Sequence, residues 1–470
     1  MCTCTIIGRD ATVDGSVLLG ANNDWDGTPG QVVHVPRISH TSEEVFRTIR
    51  GYEIPQVPVT FSYSYTCCLY AIGHRQHAWA EGINENQVAI AQTGVHAFQP
   101  IASAGARLEA DDIPWLVLER AASARHAIQM LGTLIREHGF NVSSWEGAEG
   151  VAVFGIADPQ EGWWLELAPG NHWIAQRVPD HMASVRVNCF GTHDADLTDT
   201  DNVMCSEGLA EYAAARGWGG DKHHFDFSRI YGRDASINEW GPELDKINMR
   251  RRWRALCLYA DKELPEEDLL YQVHPNRKLT REDVKNVLRD VYTGTRYDLA
   301  AVPAAGPGGN PFHDAPDSYS LAQRGTVASI VVQLRSWLPN AFGGVMWTAL
   351  SNPRISLYIP IFAGIKELPD CFSSKITSSG REKPAWWAFK ELELLTVRRY
   401  TSLFVLVETA QAIYEKESAA LLRGITSALE LLWAQDPDTG RYLIDCFCEE
   451  RAKKAFFTAA CLFSTLELQY

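Results

Sequence analysis

Residues 1–24 read MCTCTIIGRDATVDGSVLLGANND. Cys2 to Gly8 and Ser16 to Gly20 are two β-prone apolar runs, and Asp14-Gly15 between them supplies a pair that accepts positive backbone φ. The stretch predicts a hairpin that starts at the second residue. Initiator methionine is generally removed when the next residue is small, so Cys2 is expected to carry a thiol and a free α-amine together. An unperturbed α-amine titrates at about 8; its neutral fraction can take the thiol proton directly or through one water. Only two carbon atoms link base and nucleophile, which limits their orientational freedom. The bland alternative is an incidental cysteine at a strand end.

Outward from this hairpin the chain alternates strand and helix signals. Gln87 to Thr93, after the turn Asn84-Glu85-Asn86, reads as a buried strand. Ile113 to His138 reads as one helix, with Asp111 and Asp112 at its start, Pro114 in its first turn and Gly139 at its stop. Val151 to Ile156, Trp163 to Leu167 and Asn171 to Gln176 predict an antiparallel meander around the turn at residues 158–162. Gly343 to Leu350 and Ile355 to Phe362 predict a second strand pair. From about Glu382 to Tyr470 the spacing is helical, broken at residues 436–440. Hairpins and meanders followed by segregated helices give an α+β class, not a doubly wound parallel sheet.

Composition narrows the function. The 470 residues are 46% apolar and 21% charged, with no low-complexity tract, as an ordinary globular enzyme would be. Forty-three basic against 58 acidic residues give a formal charge of -15, which repels a phosphate backbone; nucleic-acid binding is not expected. The eleven cysteines are scattered and include the adjacent Cys67-Cys68, a poor basis for a disulfide framework. Cys446 and Cys448 lack a second pair at zinc-site spacing, and His223-His224 stands in no ligand motif, so neither metal nor cofactor is expected. No apolar run approaches the roughly 18 residues of a membrane span, and no basic segment precedes an apolar core at the start. A cytoplasmic protein without a membrane partner is expected.

The opening stretch, together with GINENQVAIAQT, IPWLVLERAASARHAI, ADPQEGWWLELAPGNHWIAQRVPD, RDVYTGTRYD and GGVMWTALSNPRISLYIPIFAGI, resembles the cysteine dipeptidase family of N-terminal-nucleophile hydrolases. That family takes in lactic-acid-bacterial dipeptidase A and secernin-like chains, with penicillin V acylases and bile salt hydrolases as distant relatives. The segments occur in the family's order from end to end. The resemblance implies a four-layer αββα sandwich over residues 2–380, with a helical C-terminal region at 381–470 packed on it. It implies hydrolysis of small peptides through a thioester on Cys2, and family precedent leaves a homo-oligomer open.

Residue by residue, the resemblance makes Asp24 the acid that contacts the α-amine, and Asn188, in RVNCF, an oxyanion-hole donor. Arg251 becomes the guanidinium near the nucleophile, although Arg250 and Arg252 leave its register open by one. A second oxyanion donor is expected from the backbone of Gln92-Thr93-Gly94. A turn residue is the alternative for Asp24, and a strand-end asparagine for Asn188. The sequence departs from the family at Ala21, where relatives carry Arg or Lys, so the site is short of one positive charge.

Two other activities fit the same chain: an acylase or amidase acting on non-peptide amides, and a catalytically silent secernin-like interaction protein. A conventional Cys-His pair using His74, His77, His96 or His193 is a weaker reading, because none lies in a recognised protease motif.

Overall fold

The computed structural model describes residues 2–25, 28–69, 77–96, 105–141, 143–145, 148–232, 241–267, 269–315, 318–372 and 385–468. The strands of its two main sheets are β1 (Thr3–Ile7), β2 (Val17–Asp24), β3 (Gly30–Val35), β4 (Tyr63–Cys68), β5 (Ala78–Asn84), β6 (Ala89–His96), β7 (Ser143–Trp145) and β8 (Ala148–Ala157). There follow β9 (Gly162–Ala168), β10 (His172–Val178), β11 (Ala183–Arg186), β12 (Val203–Cys205), β13 (Gln272–Val273), β14 (Thr326–Leu334), β15 (Val345–Leu350) and β16 (Ile359–Phe362). The longer helices are α1 (Ile113–Arg120), α2 (Ala124–His138), α3 (Gly241–Ala260), α4 (Arg281–Leu288), α5 (Ala385–Thr396), α6 (Tyr400–Leu432) and α7 (Pro437–Glu467).

One sheet has the order β13-β11-β1-β2-β14-β15-β16; the other runs β12-β10-β9-β8-β6-β5-β4-β3, with β7 also pairing with β8. All these pairs are antiparallel. The α+β class follows. The sheets face each other through β1, β2 and β14 on one side and β5, β6 and β8 on the other. Close approach is possible because Gly162 has no side chain: a Cβ there would stand 2.4 Å from Cγ2 of Ile6 in the opposite sheet. Helices α1 and α2 pack on the second sheet and α3 and α4 on the first, while α7 lies against β16 and pairs with α6.

The first hairpin forms where the sequence places it. Asp14 accepts bonds from the backbone N–H and hydroxyl of Ser16, and Gly15 takes φ of +80°. Its second strand, however, continues past Gly20 to Asp24. The polar tail Asn22-Asn23-Asp24 stays in the sheet because distant groups satisfy its side chains: Asn22 donates to the carbonyls of Leu288 and Leu321, and Asn23 to that of Trp79.

Three expectations are corrected. The single helix over 113–138 is two helices, because Ala121 is extended and the Ser123 hydroxyl caps a fresh start by accepting from the N–H of His126. The strand expected from Ile355 begins at Ile359, since the carbonyl of Asn352 holds the N–H groups of Ile355 and Ser356 in a turn. The break near residue 436 comes earlier, around Trp433–Asp436, with Pro437 opening α7 and Asp436 capping it through the N–H of Thr439. The expected boundary at 380/381 lies outside the described residues.

Candidate active site

Cys2 stands immediately before β1, an interior strand flanked by β11 and β2. Side chains two apart on a strand share a face, and Cys4 accordingly points into the inter-sheet space, its thiol donating to the carbonyl of Gln92 on β6 at 3.1 Å. Desolvation pushes the Cys2 thiol up to about 11; Asp24 and Glu81 push the same way, while the backbone N–H of Asp24 pulls it down.

Arg251, from α3, organises the surroundings of Cys2. Its side chain has no exposed surface. Nη2 donates to the carbonyl of Cys2 at 3.0 Å and to the hydroxyl of Thr3 at 2.8 Å, and lies 3.5 Å from Oδ2 of Asp24. Nη1 donates to Oδ1 of Asn188 at 3.0 Å and to that of Asn248 at 3.3 Å. Of the three consecutive arginines, Arg251 is the one that bonds Cys2, while Arg250 lies over the ring of Tyr297 and Arg252 over that of Tyr271.

Asp24 is fixed from the other side. Its Oδ1 accepts from the hydroxyl of Thr326 at 2.5 Å and its Oδ2 from the amide of Gln323 at 2.8 Å. The carboxylate therefore faces the chain start with both oxygens oriented by neutral donors and one guanidinium.

Asn188 adopts φ of +50°, a left-handed conformation that asparagine tolerates better than most residues. Its N–H donates to Thr93 Oγ1 at 3.1 Å and its Nδ2 to the carbonyl of Gly94 at 2.7 Å. The Thr93 hydroxyl in turn donates to the Cys2 carbonyl at 3.4 Å. Among the described residues, none comes within 4 Å of where a methyl group on Gly94 would lie. The structure thus brings Cys2, Asp24, Asn188 and Arg251 into one hydrogen-bonded cluster beside Thr93 and Gly94.

Histidine is not among the groups that shift the Cys2 thiol. His77 is bonded to the hydroxyl of Tyr65, and His193 lies near the carbonyl of Gly191; His74 is outside the described residues. Among the described residues no group of three or more His, Cys, Asp or Glu could hold a metal ion.

The sequence itself has relatives among known proteins. The chain matches peptidase family C69 over residues 1–412. The chain belongs to peptidase family C69. Curated relatives carry dipeptidase names. It is 27% identical over 416 residues to a probable dipeptidase of Latilactobacillus sakei, covering 85% of this chain and 81% of that one. It is 26% identical over 478 residues to a dipeptidase of Bifidobacterium longum, covering 91% and 82%. With probable dipeptidase B of Lactococcus lactis subsp. lactis the identity is 26% over 392 residues, covering 78% and 75%.

The C69 chain contains supporting residues that its motifs did not single out. Glu166, fully buried, accepts from Nε of Arg186 at 3.1 Å and from the N–H groups of Gly191 and Thr192. It ties down the turn that carries Asn188, and Arg186 is sandwiched between the rings of Trp164 and Tyr271. No sequence motif marks this pair; the available signal is an acid inside the apolar strand Gly162–Ala168. Glu166→Ala leaves Arg186 as an uncompensated buried charge, so a loss of about 3–5 kcal/mol in stability is expected by urea unfolding. A variant within about 0.5 kcal/mol of wild type would contradict the assigned role.

Proposed function

We propose that this C69 member is a dipeptidase that hydrolyses unblocked small peptides through a thioester on Cys2. The observation that carries the reading is the convergence on Cys2 of an oriented carboxylate, Asp24, and a fully buried guanidinium, Arg251. The dipeptidase names of the relatives support it. On this reading the architecture is the αββα sandwich of N-terminal-nucleophile hydrolases, with residues 2–380 as the catalytic unit and 381–470 as a packed helical region.

With Met1 removed, the Cys2 α-amine takes the thiol proton and Asp24 favours the resulting ammonium. The thiolate attacks the peptide carbonyl, and charge develops on its oxygen. One hydrogen of the Asn188 amide is held by the Gly94 carbonyl, which orients the second toward that oxygen. The ammonium then protonates the leaving amine, and water cleaves the thioester. Arg251 neutralises Asp24 and fixes Cys2 through its carbonyl.

An unblocked-dipeptide screen with N-acylated controls tests the reading. Preference for the acylated compounds would make the chain an acylase, and turnover of neither would favour a silent interaction protein. Turnover is expected to survive EDTA and to be lost on thiol alkylation. The reverse pattern would assign the chemistry to a metal. Intact mass is expected to show loss of Met1 alone, and an active preparation that retains Met1 would exclude the amine as base.

A further inference from the structure

Glu81 is a carboxyl near Cys2 that this mechanism does not use. It lies on β5 with no exposed surface, and no donor meets either of its oxygens at hydrogen-bond distance and angle. The registered ladder between β5 and β6 is confined to Ile83–Ala89 and Gly82–Ile90, so the backbone of Gln92 is released from β5. Its carbonyl accepts the Cys4 thiol, and its N–H is turned toward the Glu81 carboxyl. The carboxyl therefore sits inside an opening in the second sheet that the first sheet fills with Cys2 and Cys4.

The groups around this carboxyl are acids or neutral. Asp24 comes from β2, Cys2 and Cys4 from the β1 segment, and Cys68 from β4. Strand β14, packed against β5, has the sequence TVASIVVQL and offers no titratable side chain. Arg251 acts on the Cys4 thiol, and it already lies against Asp24. Around β5 on the helix side, Asp111 accepts from the N–H of Trp79, Asp112 from those of Ile49 and Glu109, and Glu119 and Arg120 both bond Gln56. A buried carboxylate with no cation beside it is costly, and burial holds Glu81 well above the usual carboxylate range although the Gln92 N–H pulls the other way.

We propose that Glu81 is a positioning residue for Cys2: it is kept as the neutral carboxylic acid, and its ionisation disarms the thiol. The physical reason is that a second negative charge beside Cys2 opposes formation of the thiolate, whereas the acid form lets Asp24 and Arg251 alone set the charge of the site. The inference rests on Cys2 being the nucleophile proposed above.

Its test reads the thiol directly, without turnover. Iodoacetamide labelling of Cys2, followed by mass analysis of the N-terminal peptide from pH 6 to 10, is compared in wild type and Glu81→Gln. Equal rates are expected below the carboxyl titration, with wild type at least about threefold slower above it, so that Glu81→Gln shows the lower apparent thiol pKa. Superimposable profiles would overturn the proposal even if the chain proved to be a dipeptidase, and the expected shift would stand even if it did not. Glu81→Leu, which also lacks the charge, is expected to give the same shift should the buried amide disturb folding. Stability supplies a second reading. Because the folded-state value is raised, the contribution of Glu81 is complete below the unfolded value of about 4.3 and is lost as pH rises through the folded one. The melting temperature of Glu81→Gln relative to wild type should therefore climb from pH 5 to pH 8, and a constant difference would count against a neutral acid.

Discussion

Cys2→Ala is expected to lower turnover by at least about 10⁴-fold, since it removes the group proposed to form the acyl intermediate, while the fold stays within about 1 kcal/mol of wild type. The Cys2 carbonyl accepts from Arg251 and Thr93, and these contacts at the start of β1 survive in alanine. Cys4→Ala is the control. It loses a buried thiol and its bond to the Gln92 carbonyl, which costs about 1–2 kcal/mol, yet the Cys2 thiol and α-amine remain, so a substantial part of the activity should persist. Kinetics and urea unfolding on both variants decide the matter. Loss in Cys4→Ala with full retention in Cys2→Ala would move the nucleophile two residues along the chain. Equal retention in both would leave no role for either thiol.

The second large effect is expected at Arg251. In Arg251→Met, Asp24 keeps the hydroxyl of Thr326 and the amide of Gln323 but loses its buried cation, and the Cys2 carbonyl and Asn188 lose a donor together. Breaking such a pair costs about 3–5 kcal/mol. Turnover should fall by about 10²-fold or more, because Asn188 is no longer held by its oxygen. Arg251→Lys restores the charge but not the two-armed donor geometry, so it is expected to recover much of the stability and little of the rate. Urea unfolding and kcat/KM on the two variants test this; an Arg251→Met protein with wild-type stability and rate would remove Arg251 from the site.

Much of the fold around the candidate site is legible in local sequence, its residues being carried over by resemblance, and what is missed lies in long-range contacts. The hairpin from Cys2 is readable because Asp14-Gly15 is a local signal, and the extension to Asp24 is not, because the partners of Asn22, Asn23 and Asp24 lie between 56 and 302 residues away in sequence. The break after α1 was present as the cap residue Ser123, but the apolar spacing from Leu118 through Ala121 to Ile128 runs on across it and masks it. Glu81 has no motif; it reads as one acid in the strand AWAEGIN, and its meaning depends on which thiols the opposite sheet delivers. Ala21, read from the sequence as a missing positive charge, pairs directly across from Cys4 and is fully buried. The shortage of cation and the uncharged state inferred for Glu81 are thus two sides of one interior.

The interior position of the first strand also sets a clock. β1 needs β11, whose first residue is number 183, and the residues that secure Cys2 and Asp24 are Arg251, Gln323 and Thr326. At synthesis rates of about 5–20 residues per second, the ribosome needs roughly 15–65 s to deliver Thr326. Throughout that interval the amino terminus has no pocket to enter. An aminopeptidase acting on Met1 during synthesis competes with no folded structure, whereas one acting afterwards faces a terminus anchored in the middle of a seven-stranded sheet. On the mechanism proposed above, maturation and folding are thereby ordered in time by topology, with Cys2 exposed first and the strand that follows it enclosed last.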